Sequence, residues 1–256
     1  MSHIGHTELE AAVSSYRRKT DSYGRRLRAA LIDMDGTLYD SMKWHAKAWH
    51  RMVTEIGIEA TEDEFFQYEG MTGKATVNLL FRRAGRGEVD DETVTELYGR
   101  KAAFFREMYT PTLMPGALQM VETFRRFDME TVLVTGSAQA SVLDRVNVDY
   151  PGFFPPNRCI TAKDVVKGKP SPEPYLKGLE LCGIAPVEAI VVENAPLGVE
   201  AGVKAGIFTV GVKTGPLPLE SLYSAGADIV FESMTRCAEM LPELLLLMNT
   251  FSNKQK

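Results

Sequence analysis

Asp33 and Asp35 flank a single methionine in the segment Asp33-Met-Asp-Gly-Thr-Leu-Tyr-Asp-Ser41. Just past a strand, carboxylates at that spacing point in a similar direction, so one can bind a metal and attack phosphorus while the other carries a proton. A plain Asx-type turn uses the same residues, with both acids capping the chain. An EF-hand calcium loop would need further oxygen ligands and a terminal Glu, which do not follow. Three more groups suit the same chemistry. Thr135, with Gly136 and Ser137 behind it, can turn a hydroxyl and backbone N–H groups toward a phosphate at a helix start, or simply cap that helix. Lys169 stands between Gly168 and Pro170, on backbone stiff enough to hold an ammonium against a phosphoryl group; a solvated loop lysine is the alternative. Glu193-Asn194 ends an apolar run, where a buried carboxylate calls for a partner or a metal, unless it serves only to cap the following helix.

These groups need a scaffold that gathers them. Short apolar runs at Leu27 to Ile32, Thr131 to Thr135, Ala189 to Val192, Phe208 to Val212 and Asp228 to Phe231 read as strands. Helical patterns lie between the later ones: Ala117 to Phe127, Ser141 to Val148, Pro174 to Cys182, Leu197 to Ala205 and Leu219 to Ala225. Strands apolar throughout and alternating with helices predict an α/β fold, a Rossmann-like doubly wound parallel sheet covered on both faces. In such a sheet ligands bind beyond the carboxyl ends of the strands, which is where all four polar groups fall. Pro196 suits a first helical turn, and Gly198 and Gly202 are spaced for close packing of that helix on the sheet. Residues 42–110 interrupt the alternation with helical patterns at Trp44 to Ile56 and Val94 to Met108 and no strand, and Leu113-Met-Pro-Gly-Ala117 has the chemistry of a turn back to the sheet. The expected organisation is therefore an N-terminal extension over 1–26, a core over 27–41 and 111–256, and a helical insert over 42–110. In the extension, Leu9, Val13 and Tyr16 have helical spacing, so a surface helix or a partly disordered leader is expected, and a His3–His6 metal pair is the weaker reading.

A chain of 256 residues has room for a core domain with one smaller insert. The net charge of -5 lies on mixed-sign segments, with no Lys/Arg stripe interleaved with aromatics, so no nucleic-acid partner is expected. Cys159, Cys182 and Cys237 are odd in number and widely spaced, which suits packing residues in a reducing compartment rather than disulfides or a zinc site. The apolar stretch Leu244 to Met248 is too short to span a bilayer and no signal-type run opens the chain, so no membrane partner and a cytoplasmic location are expected.

In combination, Asp33-x-Asp35-Gly-Thr, Thr135, Lys169-Pro and Glu193 resemble the motifs of the haloacid dehalogenase superfamily, in the branch that includes β-phosphoglucomutases, over about residues 28–232. The resemblance implies a Rossmann-like core with a small helical cap inserted after the first motif. It implies Asp33 as nucleophile and Mg²⁺ ligand, and Asp35 as general acid/base with its main-chain carbonyl on the metal. Thr135 and Lys169 would sit on the phosphoryl oxygens and Glu193-Asn194 at the metal. Asp35 favours phosphate chemistry over dehalogenation, because departing halide needs no proton donor.

Two departures bear on the substrate. Asn194 stands where the family commonly has Asp, which removes a charge from the metal site. Where the mutases present a basic Lys-Gly-x-x-Arg loop, this chain reads Glu69-Gly-Met-Thr-Gly73, so the arginine that would grip a second phosphate is Gly73. Glu69 can instead swing in on closure and join the metal, or remain a solvated loop acid. This Tyr-Glu-Gly-x-Thr-Gly loop with Glu-Asn-Ala-Pro is similar to the inorganic pyrophosphatases of the superfamily. His45, one turn from Trp49, would touch substrate or pack at the hinge, and Lys74 would add a phosphate contact or be solvated. The expected protein is a Mg²⁺-dependent phosphohydrolase working through an aspartyl-phosphate, foremost an inorganic pyrophosphatase. The alternatives are a β-phosphoglucomutase, a sugar-phosphate phosphatase or a silent binding protein of the same fold. The substrate is a small phosphorylated compound, diphosphate or a sugar phosphate, and the chain a monomer or dimer.

Overall fold

The computed structural model of the chain describes residues 4–137 and 140–250. In chain order the long elements are α1 (His6–Thr20), β1 (Ala29–Ile32), α2 (Met42–Glu55), α3 (Gly73–Arg83), α4 (Asp91–Met108), α5 (Ala117–Arg126), β2 (Glu130–Val134), α6 (Ala140–Asp149) and β3 (Cys159–Ile160). They continue with α7 (Glu173–Cys182), β4 (Ala189–Glu193), α8 (Pro196–Lys204), β5 (Phe208–Val212), α9 (Leu219–Ser224), β6 (Ile229–Phe231) and α10 (Met234–Asn249). The strands form one six-stranded sheet in the order β3-β2-β1-β4-β5-β6, and every pairing is parallel.

The strand sequences explain the layering. Ala-Ala-Leu-Ile in β1 and Ala-Ile-Val-Val-Glu in β4 are buried at every position. Alternate residues feed opposite faces, as the pleat requires. Ala30, Ile32, Leu133, Ile190 and Val192 join the core packed with α1, α5 and α10, while Ala29, Leu31, Val132, Val134 and Val191 pack with Tyr175 and Leu179 of α7 and Ala201 of α8. The chain winds outward from β1 in one direction to β3 and in the other to β6, so the crevice opens where β1 meets β4. Ile32 is level with Leu133 and with Val192, so β2 and β4 each run one residue past the end of β1. Asp33 therefore emerges beside Glu193 and one step from Thr135, and its N–H donates to the Val192 carbonyl at 3.1 Å.

Between β1 and α5 the structure is helical. α2, α3, α4 and a 3₁₀ turn at Asp63–Phe66 close around a hydrophobic cluster of their own that includes Trp49, Met52, Phe65, Val77, Leu80 and Leu97. α3 and α4 start at caps: the Thr72 hydroxyl accepts from Ala75 N–H at 3.3 Å and Asp90 from Thr93 N–H at 2.7 Å.

At the amino end α1 buries Leu9, Val13 and Tyr16 against the core, so the extension is an ordered helix over His6–Thr20. His6 bonds Glu243 and lies 3.2 Å from Glu10; His3, its suggested metal partner, lies outside the described residues. Arg17 is buried and donates from Nη2 to the carbonyls of Leu247, Met248 and Thr250 at 2.9 to 3.1 Å, satisfying the open end of α10. The cysteines are free, with Cys237 fully buried. No helix among the described residues is long and apolar enough to cross a membrane.

Candidate active site

Lys169 is the electrostatic centre of the site. Its ammonium donates to Asp33 Oδ1 at 2.6 Å, to Glu193 Oε1 at 2.5 Å and to the Val134 carbonyl at 3.1 Å. A buried ammonium is costly unless paired. Burial works against its charge, yet Asp33 and Glu193 outweigh that and hold its pKa above the ordinary lysine value. Burial pushes the Asp33 carboxyl up, the Glu193 charge pushes it further, and Lys169 pulls it partly back. The pair is poised to change when a charged ligand arrives.

Glu193 is held on both oxygens, and one of them caps the following helix, one of the two readings its sequence position allows. Its Oε1 accepts from Lys169 and from Tyr175 OH at 3.0 Å, and its Oε2 from the N–H groups of Asn194 and Ala195 at 2.9 and 3.0 Å. Both oxygens accept from protein donors, so Glu193 positions Lys169 and the turn into α8. Gly198 permits this: a Cβ there would stand 1.8 Å from Glu193 Oε1.

Asp35 belongs to a second network. Its Oδ1 accepts from Ser41 Oγ at 2.6 Å and pairs with His45 Nε2 at 3.0 Å, while His45 Nδ1 lies 2.6 Å from the Lys101 ammonium. Lys101 can only donate, which assigns the proton of a neutral imidazole to Nε2, facing Asp35. The His45 ring stacks on Phe105 at 3.9 Å. Burial and then the Lys101 charge lower the His45 pKa against the pull of Asp35, keeping the ring neutral. Burial opposes the Asp35 charge, but His45, Ser41 and Lys101 outweigh it and hold the acid below the usual carboxylate range. Lys101 itself is pushed down to about 8 by burial, with Asp35 working the other way.

Glu69 comes from the turn before α3 and is buried against Asn194, whose Nδ2 donates to Glu69 Oε1. Asn194 Oδ1 in turn accepts from Thr37 Oγ1 at 3.1 Å. Burial drives Glu69 well above the usual carboxylate range; the Asn194 bond opposes this, and the charges of Asp33, Glu193 and Asp35 add to it. Gly36, at φ 82°, makes the junction possible, because a Cβ there would lie 2.0 Å from Asn194 Nδ2 and 2.7 Å from Glu69 Oε1. Gly73, in place of the mutase arginine, leaves room for the Tyr98 ring, which a Cβ would meet at 2.3 Å.

A cavity of about 70 Å³ lies between these groups, lined among others by Asp33, Asp35, His45, Glu69, Lys101 and Thr135. Gly136 and Ser137 line it too, and Thr135 Oγ1 accepts from Ser137 N–H at 3.0 Å, folding that loop over the space. Lys74 does not reach the cavity: it is ion-paired with Asp91 on the outside, since position 74 of α3 points away from the insert's core. Sequence reading passed over Lys101, Ser41 and Tyr175. The mark that betrays Lys101 is a lone charge on the stripe Val94, Leu97, Lys101, Ala102, Phe105, where α4 is otherwise apolar.

A divalent cation fits these residues by charge and donor type. Asp33, Asp35 and Glu69 converge with Glu193 on one buried region, and the bonded partner of Glu69 is a neutral amide. The donors are carboxylate and amide oxygens, the set that hard cations take. Among the described residues no three His, Cys, Asp or Glu side chains form a ready-made cage. Mg²⁺ is ordinarily held by one or two carboxylates with waters and substrate phosphate, and needs no such cage.

A profile described as haloacid dehalogenase-like hydrolase matches residues 27–206. Hexitol phosphatase A of Escherichia coli (strain K12) is 30% identical over 210 residues, covering 82% of this chain and 92% of that protein. Beta-phosphoglucomutase of Bacillus subtilis (strain 168) is 24% identical over 212 residues, covering 80% and 88%. Among solved structures, a Bacteroides vulgatus protein provisionally named a beta-phosphoglucomutase superposes with TM-score 0.92 at 38% identity, covering 96% of this chain and 100% of its own.

Proposed function

Because the chain belongs to the haloacid dehalogenase-like hydrolases, we propose that it is a Mg²⁺-dependent phosphohydrolase acting through an aspartyl-phosphate on Asp33, and that its substrate is diphosphate. The observation that carries the choice of substrate is the closed junction of Glu69 on Asn194 above a cavity of about 70 Å³. That is far below the roughly 300 Å³ at which pockets for larger organic ligands begin.

Lys169 holds Asp33 Oδ1, which leaves Oδ2 to attack phosphorus. The P–O bond to the departing phosphate breaks as the Asp33 O–P bond forms. Water then attacks the acyl phosphate, Asp35 takes its proton, and the second phosphate leaves with Asp33 restored. The depressed pKa of Asp35 keeps it ionised and ready to accept that proton, while His45 fixes its orientation. Lys101, Thr135 and the Gly136–Ser137 backbone face the phosphate oxygens from the walls. Asp33, the Asp35 carbonyl, Asn194 and Glu69 would hold Mg²⁺, which when bound offsets phosphate charge. The closing insert acts as a cap that excludes water.

A second reading, hydrolysis of a sugar or polyol phosphate, draws support from the similarity to hexitol phosphatase A. Mutase action is disfavoured by the Tyr98 ring at Gly73. A panel of diphosphate, a hexitol phosphate, β-glucose 1-phosphate with its bisphosphate, and a simple aryl phosphate, each with Mg²⁺, decides. Diphosphate is expected to give the highest kcat/KM; faster release from the hexitol ester would replace the first reading with the second.

A further inference from the structure

The hydrophobic cluster of the insert contains one contributor from outside residues 42–108 among the described residues: Leu217, half-buried in the loop between β5 and α9. This loop, Lys213-Thr-Gly-Pro-Leu-Pro218, is pinned at its root, where Lys213 N–H donates to the Phe231 carbonyl at 2.8 Å. It is also tied to the catalytic turn, because Thr214 Oγ1 donates to the Gly36 carbonyl at 2.6 Å. Gly36 is the residue whose missing side chain admits the Glu69–Asn194 junction. On the insert side the loop meets Phe66, three residues before Glu69. Phe66, Glu69, Asn194, Lys213, Leu217 and Leu222 share the lining of one small cavity behind the junction. Further out, Pro216 and Leu217 face Thr61 and Glu64 across an open groove of about 440 Å³, and of the loop's residues it is Leu217 that packs on the insert's cluster.

We propose that Lys213–Pro218 is the core's latch on the insert, with Leu217 the positioning residue whose apolar contact keeps Glu69 seated on Asn194. The loop joins both halves of the junction: through Thr214 it fixes Gly36 beneath, and through Leu217 it holds the 3₁₀ turn that carries the chain into Glu69. A leucine methyl group withdrawn from an apolar neighbour returns to water, and the seated arrangement loses that share of its stability. For a half-buried side chain cut back to alanine, the seated-to-unseated ratio falls roughly fivefold to tenfold. The inference rests on the reading of Glu69 as a group that closes the site, although its first readout is independent of any reaction.

Hydrogen–deuterium exchange on the full chain compares Leu217→Ala, Leu217→Met and a control, Leu246→Ala, at an exposed position of α10. Leu217→Ala is expected to speed exchange of the Phe66–Met71 amides roughly fivefold to tenfold while amides of β1 and β4 keep their rates, and Leu217→Met, which keeps the contact, to restore slow exchange. With whichever phosphate compound is turned over, kcat/KM should fall by a similar factor for Leu217→Ala and recover in Leu217→Met. Unchanged exchange at Phe66–Met71 in Leu217→Ala overturns the latch, as does acceleration spread equally over β1 and β4. Should no phosphate compound be turned over, the functional reading fails while the exchange result still decides the latch.

Discussion

Replacing Lys169 with Met removes the ammonium that bridges Asp33 and Glu193 and leaves two carboxylates facing each other in a buried site. Removing one member of a buried ion pair ordinarily costs about 3–5 kcal/mol, because the survivor's charge is left without compensation. Tyr175 and two backbone N–H groups still solvate Glu193, so the larger share of the loss falls on Asp33. The system has one escape, which is to bind a proton. Asp33 is already pushed upward by burial and by Glu193, and loss of Lys169 drives it higher still. A carboxyl with a folded-state pKa above its unfolded one destabilises the fold in full above the folded value; the loss shrinks as pH falls below that value and is gone only below the unfolded one. The stability deficit of Lys169→Met against the unaltered protein should therefore be about 3–5 kcal/mol at pH 8. It should shrink between pH 8 and about pH 7 at up to roughly 1.4 kcal/mol per pH unit, while the variant holds a proton that Asp33 of the unaltered protein lacks, and level off below, where that Asp33 binds a proton too. Denaturant unfolding with EDTA present at the two pH values measures it. A deficit under about 1 kcal/mol at pH 8, or one that does not change with pH, would refute the account of Lys169 as the charge that makes this site foldable.

Other outcomes follow from the same geometry. Glu69→Gln keeps the shape at Asn194 but removes a charge, and should raise the Mg²⁺ concentration for half-maximal activity about tenfold; an unchanged metal titration excludes Glu69 from the ion's surroundings. Lys101 loses its proton above about 8, so KM for a phosphate substrate should climb between pH 7 and pH 9; in Lys101→Met, KM should be high and flat across that range. Arg17→Ala should lower unfolding free energy by roughly 2–3 kcal/mol, because three carbonyls lose a charged donor; a chemical denaturation curve without a shift counts against that.

What could be read from the residues depended on how local the determining physics is. β1, β4 and β5 announce themselves, because a strand buried on both faces must be apolar at every position. β3 was missed because Cys159 and Ile160 are too few to show a pattern; the strand exists through its pairing with Leu133 and Val134. α10 escaped notice because Pro242 sits inside it and its carboxyl half, Leu244 to Met248, is apolar on almost every side. At the site, Asp33, Asp35, Thr135, Lys169 and Glu193 were legible because each follows a strand or lies in a marked turn. Which acid would be spent on protein donors was not, since Tyr175 reaches Glu193 only through the packing of α7 on the sheet. Lys74 left two readings open, because a lysine at the start of a helix near a glycine-rich turn looks the same whether it faces inward or, as here, toward Asp91.

The bond between Arg17 and the end of α10 has a bearing on the order in which the molecule assembles. α1 precedes the other described elements, yet the acceptors for its buried guanidinium lie 230 to 233 residues later. Until those carbonyls exist, Leu9, Val13 and Tyr16 have an incomplete surface to settle on and Arg17 has nothing to receive its protons. Contacts of such separation form late, after loop closure has been achieved by the elements between. The sheet can close around β1 and β4 without this contact, and the docking of α1 then fastens it to the end of α10.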